Sequence, residues 1–155
     1  MINEYEIIPG QGFDKVKLGM TRDEITGLFG NPDETEEFNY DEGDHSISYY
    51  YNDLGFEFTF ESDNDYVLSY LSVNKDKFHI KNKIHIGMAK DELMDAVKEL
   101  NFSNPNKEEI DDDDLPNQEL FSFYDENINL WLVDGILDEI EIGPFWEDDE
   151  NPIWP

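Results

Sequence analysis

Apolar and polar residues alternate along several short stretches of the chain, and this alternation predicts β-strands. In the clearest case Phe56, Phe58 and Phe60 fall on one side of a strand, and the polar residues between them fall on the other. The predicted strands are 46–51, 56–61 and 66–73 in the first half, and 119–124, 128–133 and 136–142 in the second. Turn residues between neighbouring strands, such as Asp134-Gly135, indicate two antiparallel meanders.

A segment of the chain occurs twice. Residues 16–29 return in similar form as residues 84–97, a shift of 84 minus 16, or 68 positions. In the first copy Thr21 and Glu24 have the spacing of a capping box, which predicts a helix that begins at this point and ends before Gly30. In the second copy Ala89 replaces the capping threonine, so we expect a softer first turn.

Each predicted helix is followed by one meander, which indicates an α+β fold. We expect a single domain, 1–155, built from two tandem helix-plus-antiparallel-meander repeats that form one sheet, with both helices packed on one face. Repeat 1 covers about 13–74, a linker covers 75–83, repeat 2 covers about 84–144, and an acidic aromatic tail covers 145–155. The second face of the sheet would then be left to solvent or used for binding.

The charge of the chain is strongly negative. Its 39 acidic residues outnumber 10 basic ones, for a net charge of -29. Such a surface repels nucleic acid and anionic lipid and favours a basic protein partner. The alternative is that the acidity serves only solubility or a salty environment. The first residues lack a signal-peptide pattern and no stretch has the length of a membrane span, so we expect a cytoplasmic monomer or weak dimer.

No residue pattern typical of catalysis is present. The chain has no cysteine, and His45, His79 and His85 lack metal-ligand spacing and are interpreted as exposed surface residues. The run Asp111–Asp114 does not reproduce the ligand spacing of a calcium loop. The prediction is therefore a protein that is not an enzyme and has no catalytic residues, metal or cofactor.

The remaining candidates concern protein binding. Acidic residues next to aromatic ones can steer a cationic partner and then anchor it by aromatic burial. A solvated loop and a tail folded onto the core is the alternative for the same residues. The predicted partner-binding residues are Glu108, Glu109, Asp111, Asp112, Asp113, Asp114, Tyr50, Trp146 and Trp154.

The segment 16–24, with Leu28-Phe29-Gly30-Asn31-Pro32 after it, resembles the repeat of β-lactamase inhibitor proteins and of small outer-membrane assembly lipoproteins. Both copies, roughly 13–144, fit its outline of a Gly-Met-Thr helix start followed by an aromatic-rich meander, although copy two lacks the Gly-x-Pro helix end. The chain departs from the lipoproteins in having no lipobox cysteine and from the inhibitors in having no disulfides.

As an acidic two-repeat chain without a catalytic pattern, it also resembles immunity proteins of bacterial polymorphic-toxin and contact-dependent growth inhibition systems. That resemblance implies a non-catalytic inhibitor of a basic toxin domain, with a nuclease as the expected partner. The alternative is a structural or assembly adaptor that binds a protein on the open sheet face.

Overall fold

The computed structural model of the protein describes residues 5–110 and 117–155. Two helices lie in the described part, α1 (Arg22–Phe29) and α2 (Lys90–Glu99). The longer strands are β3 (Glu34–Asn39), β4 (His45–Tyr51), β5 (Phe56–Glu61), β6 (Leu68–Val73), β9 (Asn106–Ile110), β10 (Gln118–Phe123), β11 (Ile128–Val133) and β12 (Ile136–Ile142). Three hairpins of two-residue strands are β1 (Gly12–Phe13) with β2 (Val16–Lys17), β7 (His79–Ile80) with β8 (Ile84–His85), and β13 (Phe145–Trp146) with β14 (Pro152–Ile153).

The eight longer strands form one antiparallel sheet. Their order is β3-β4-β5-β6-β12-β11-β10-β9, so the first meander joins the second where β6 pairs with β12. Val73 lies opposite Ile140 at this junction. The predicted α+β class is confirmed.

The prediction was two helix-plus-meander repeats that form one sheet. The described chain is dominated by one continuous eight-stranded sheet and not by two such repeats, so that part of the prediction needs correction. The physical reason lies in the strand edges. A four-stranded meander standing alone would expose two rows of unpaired backbone groups, and pairing β6 with β12 removes one edge from each meander. The junction is thus part of the sheet itself.

One face of this sheet forms the core. Phe56, Val73, Ile140, Leu130 and Phe121 lie opposite one another across five neighbouring strands, and all are buried. Directly opposed residues in antiparallel strands share a face, so this row defines the apolar side. Both helices bury their apolar residues in the same core, namely Ile25 from α1 and Leu93, Ala96 and Val97 from α2.

The two helix starts differ as the sequence predicts. The Thr21 side chain accepts a hydrogen bond from the Glu24 backbone N–H at 3.1 Å, and the Glu24 carboxylate accepts one from the Thr21 N–H at 3.1 Å. At α2 the cap residue is Ala89, which has no side-chain hydrogen bond to offer. An N-cap of this kind contributes about 1 kcal/mol, so α2 depends more on packing than α1 does.

Two segments differ from their sequence interpretation. Residues 34–39, which are not among the predicted strands, form β3, whose six residues are all exposed. A strand at the sheet edge with solvent on both faces needs no apolar alternation, so the pattern gives no strand signal. In the linker 75–83, for which no strand is predicted, Phe78, His79 and Ile80 are buried. The prediction of an exposed His79 is therefore wrong, because β7 covers the core.

Candidate functional site

Alternate residues of the long strands face away from the core and meet on the second face of the sheet. Glu57 on β5 lies opposite Ser72 on β6, and Ser72 lies opposite Glu141 on β12. Glu141 in turn lies opposite Asn129 on β11. A row of polar side chains therefore crosses the middle of the sheet.

We call this surface the open face. Its residues, read from the register of the eight strands, are Glu34, Glu36, Phe38, Ser46, Ser48, Tyr50, Glu57, Thr59, Glu61, Tyr70, Ser72, Ile136, Glu139, Glu141, Asn129, Trp131, Val133, Gln118, Leu120, Ser122, Asn106 and Glu108.

Every charged residue of the open face is a glutamate. The ten lysine and arginine residues of the chain all lie in the described part, and none of them is on this face. Lys107 is the basic residue that the long strands carry, and it lies opposite Phe121, whose side chain is in the core. Lys107 therefore points to the helix side. The open face carries acids alone, whereas the rest of the surface carries both acids and bases.

Glu57 lies near the centre of the open face. Its partial burial raises the pKa of its carboxyl group to about 6, and the negative charge of Glu139 adds to the shift. Glu141 and Glu36 act in the same direction, while a hydrogen bond from Tyr50 opposes them. The carboxylate of Glu57 is therefore ionised at neutral pH in surroundings that disfavour its charge.

Tyr50 links the acids of neighbouring strands. Its hydroxyl donates a hydrogen bond to Glu36 Oε2 at 3.2 Å, and its ring lies beside Glu57 in the register. Burial raises the pKa of the Tyr50 hydroxyl, and the negative charges of Glu57 and Glu36 raise it further. Tyr50 thus stays a neutral hydrogen-bond donor between two carboxylates.

A second pair of acids lies across the sheet junction. Burial is the largest cause that raises the pKa of Glu139, and repulsion from Glu141 and Asp138 adds to it, while a hydrogen bond from Ser72 acts against it. Glu141 Oε1 accepts a hydrogen bond from Asn129 Nδ2 at 2.8 Å. Each carboxylate therefore has a polar neighbour but no cation.

Glu61 on β5 and Tyr70 on β6 are also partly buried next to acidic residues. Burial raises the pKa of Glu61, as do the nearby charges of Asp63 and Asp44. Burial also raises the pKa of the neighbouring Tyr70, with Glu61 as the next cause. The open face thus contains several partly desolvated carboxylates with aromatic side chains between them.

The residues predicted from sequence do not converge on one place. Tyr50 and Glu108 are both on the open face, but β4 and β9 are six strand spacings apart, or about 29 Å. Glu109 is on the opposite face of β9, where its carboxylate lies 3.4 Å from Lys107 Nζ. Asp111, Asp112, Asp113 and Asp114 lie outside the described residues.

The two tail tryptophans have different surroundings. Trp146 belongs to the β13–β14 hairpin and is 43% exposed. Trp154 packs against the core next to Gly19, where an added β-carbon would lie 3.3 Å from the indole ring. Trp154 and Lys17 also line an open groove of about 420 Å³ on the helix side. Trp146 is therefore presented to solvent, whereas Trp154 attaches the tail.

The histidines are held by local hydrogen bonds. His79 Nδ1 accepts from the Asn82 backbone N–H at 3.1 Å, and the imidazole of His85 lies near it, with ring centroids 5.7 Å apart. Burial lowers the pKa of His79, and His85 lowers it further. His45 Nδ1 pairs with the Tyr66 hydroxyl at 2.9 Å. Within 5–110 and 117–155, no group of three or more potential ligands is placed to hold a metal ion.

Neither helix of the described part has the length and apolar character needed to cross a bilayer. In comparisons with protein-family models, with curated proteins and with solved structures, the chain gave no significant match. The geometry and charge of the open face are therefore the observations from which a function can be proposed.

Two open-face residues, Tyr50 and Glu108, were predicted from the sequence. The glutamates on the strands between β4 and β9 were not. The signal was present in the alternation of β5, where Glu57 and Glu61 occupy the polar positions. What was missing was the register that sets them beside Glu139 and Glu141 on a strand far away in the chain. Collecting the polar positions of the six predicted strands, before any register is known, would have shown that none is basic.

Proposed function

We propose that this protein is a non-catalytic immunity protein that binds and neutralises a basic toxin domain, a nuclease, through its acidic surface. The observation that carries the proposal is that the charged residues of the open face are all acidic. The open face has glutamates and no basic residue, while all ten lysine and arginine residues lie elsewhere. A face of one sign attracts a partner of the opposite sign and increases its association rate.

The chemistry of the face suits basic side chains in particular. Guanidinium groups pair with carboxylates through two hydrogen bonds and also stack on aromatic rings. Here Tyr50 lies next to Glu57 in the register, and Trp131 lies next to Glu139. An arginine that reaches this surface would find both kinds of contact within one side chain's reach.

The raised pKa values add an energetic argument. Glu57 and Glu139 are partly desolvated and repelled by other acids in the unbound protein. A cation from a partner would relieve this repulsion, so part of the binding energy would come from removing an unfavourable state of the free protein. Functional surfaces commonly contain residues that favour binding and lower the stability of the free protein.

A nuclease is the class of toxin that this surface suits best. Nucleases carry basic substrate sites because they handle phosphate backbones. An acidic sheet face can occupy such a site in place of the nucleic acid. The adaptor function would use the same face, but its partner need not be basic.

We also propose that the sheet arose by duplication of a helix-plus-meander unit. The support is local. The Lys17 backbone N–H approaches Met20 Sδ at 3.1 Å, and the His85 N–H approaches Met88 Sδ at 3.3 Å. Gly19, which precedes Met20, has a φ of +93°, and the corresponding Gly87 has a φ of +95°. Two independent segments have little reason to share such a turn.

The test is co-purification with the product of the neighbouring gene, followed by association kinetics. The variant Glu57→Gln/Glu139→Gln/Glu141→Gln should slow association by about tenfold at low salt, and the difference should shrink at 500 mM sodium chloride because the charges are screened. The matched control is Asp91→Asn/Glu92→Gln/Asp95→Asn, which removes the same charge from the exposed side of α2. Equal slowing by both variants would mean that net charge matters and the open face does not. A partner that binds without salt dependence would favour the adaptor function.

A further inference from the structure

The first edge of the sheet is exposed and unusually accessible. Among the described strands β3 pairs only with β4, and all six of its residues are exposed. No described element covers its outer side, because β3 is the terminal strand in the sheet order. An edge strand in this position offers backbone groups that can pair with another chain.

The hydrogen-bond pattern shows which groups these are. The Tyr40 N–H donates to the Asp44 carbonyl oxygen at 2.8 Å just beyond the end of β3. Hydrogen-bonded pairs recur at every second residue of an antiparallel ladder, so Phe38, Glu36 and Glu34 direct their backbone groups to β4. The alternate residues Thr35, Glu37 and Asn39 direct theirs away from the sheet. These outward groups form a ready-made ladder for one more strand.

The side chains of β3 select the partner. Glu34 and Glu36 continue the open face, and Glu37 projects on the other side. Neither β3 nor β4 carries a lysine or arginine. A second copy of the protein is disfavoured, because two-fold pairing centred on Glu36 or Glu37 sets that glutamate opposite itself, and opposed like charges destabilise a pair of strands.

The other edge lacks this combination. On β9 the Lys107 ammonium lies 3.4 Å from Glu109 and 3.2 Å from Glu119, so these two acids already have a cation. β9 also runs directly into the segment 111–116, which lies outside the described residues. β3 is therefore the edge at which a basic strand meets acids without a competing lysine.

We propose that β3 accepts an extended, basic segment of the protein partner as a ninth strand of the sheet. Main-chain hydrogen bonds to Thr35, Glu37 and Asn39 supply affinity, and lysine or arginine at alternate positions meets Glu34 and Glu36. This mode of recognition is β-strand addition, in which the backbone gives affinity and alternate side chains give specificity. The inference rests on the proposed function, since it names how the basic partner engages the acidic sheet.

The test uses a ten-residue peptide of alternating lysine and valine as the probe. Amide hydrogen exchange is followed by NMR on the full chain at low salt. Saturating peptide should slow exchange at the outward amides of Thr35, Glu37 and Asn39 by about tenfold or more, because new hydrogen bonds protect them. A peptide of the same residues with N-methylated valines, which cannot form the ladder on that side, should give no such protection.

A variant pair tests the backbone contribution separately. Glu37→Pro removes an outward N–H at an edge position, where proline is tolerated, and Glu37→Gln removes the same charge but keeps the N–H. The proline variant should bind the probe about tenfold more weakly than the glutamine variant, because it lacks one main-chain hydrogen bond to the added strand. If the proline variant fails to fold, the exchange experiment on the unaltered chain still decides.

The outcomes separate the inference from the proposed function. Probe binding that shifts the signals of Glu57 and Glu139 but protects no β3 amide overturns the strand addition and leaves the acidic face intact. Protection of β3 amides without peptide, together with a dimer in solution, means that a second copy is the occupant, and overturns the proposal. Absence of probe binding at millimolar concentration overturns it as well, whereas the proposed function is then judged by the toxin association kinetics alone.

Discussion

The two faces of the sheet are built from the same strands and have opposite properties. On β5, Phe56, Phe58 and Phe60 are buried, while Glu57 and Glu61 alternate with them toward solvent. The core face joins aromatic rings, such as Phe58 and Phe56 with centroids 5.0 Å apart. The open face sets carboxylates beside one another. Stability therefore comes from the core face, and the neighbouring carboxylates of the open face reduce it.

The difference has a simple physical origin. An apolar side chain gains free energy when its neighbours exclude water, so the core face becomes more favourable as it is packed more tightly. A carboxylate loses hydration under the same conditions, so the open face becomes less favourable. Three experiments test this contrast.

The largest effect is expected in the core. Phe58→Ala removes a fully buried ring that contacts Phe13, Phe29 and Tyr51, and it should reduce the free energy of unfolding by about 3–5 kcal/mol. Thr59→Ala, on the open side of the same strand, should change it by less than about 1 kcal/mol. Urea denaturation measures both. Similar losses at the two positions would remove the distinction between the faces.

An intermediate effect of opposite sign is expected at the centre of the open face. Glu57→Gln should increase the free energy of unfolding at pH 7 by about 1 kcal/mol, a value reduced to allow for solvent screening. The folded-state pKa of Glu57 is raised to about 6 from 4.5, so the folded protein binds its proton more tightly than the unfolded chain does. The penalty of the charge therefore grows as the pH rises from 4.5 to 6 and is constant above that range.

The pH dependence provides the control. At pH 4 the carboxyl group of Glu57 is largely protonated in both states, and Glu57→Gln should leave stability nearly unchanged. Glu92→Gln on the exposed side of α2 should show neither the gain at pH 7 nor its loss at pH 4. A destabilising effect of Glu57→Gln at pH 7 would contradict the account of the open face given above.

The smallest effect is the response to salt. Raising sodium chloride from about 10 mM to 500 mM screens the repulsion between exposed acids and should stabilise the protein by roughly 0.5–1 kcal/mol. Glu57→Gln/Glu139→Gln/Glu141→Gln should respond less than the unaltered protein, and thermal denaturation compares the two. An identical response would locate the repulsion elsewhere on the surface.

Local pattern predicted the elements whose cause is local. Thr21 and Glu24 predicted the start of α1, and the alternation of phenylalanines predicted β5, because caps and alternating faces act over a few residues. β3 was not among the predicted strands, since an edge strand whose two faces are exposed has no apolar alternation; its backbone pairs with β4. The buried segment at Phe78 was also missed, because four nearby lysines mask its apolar residues.

The candidate site shows the same division. Tyr50 and Glu108 could be named from sequence as exposed polar or aromatic residues, yet their separation by about 29 Å could not. Glu57 and Glu141 are 84 positions apart in the chain, and they come together only through Ser72 and the pairing of β6 with β12. No local pattern carries that information.

By itself the sequence determined which residues alternate, where the helices begin and that the molecule is overwhelmingly acidic, because these follow from neighbours a few residues apart and from composition. The tertiary structure alone decided the order and register of the strands, that glutamates from distant strands share the open face, and that the lysines lie elsewhere. The reason is that strands pair through hydrogen bonds between residues far apart in the chain. This pairing decides which of the acidic residues lie together on one surface.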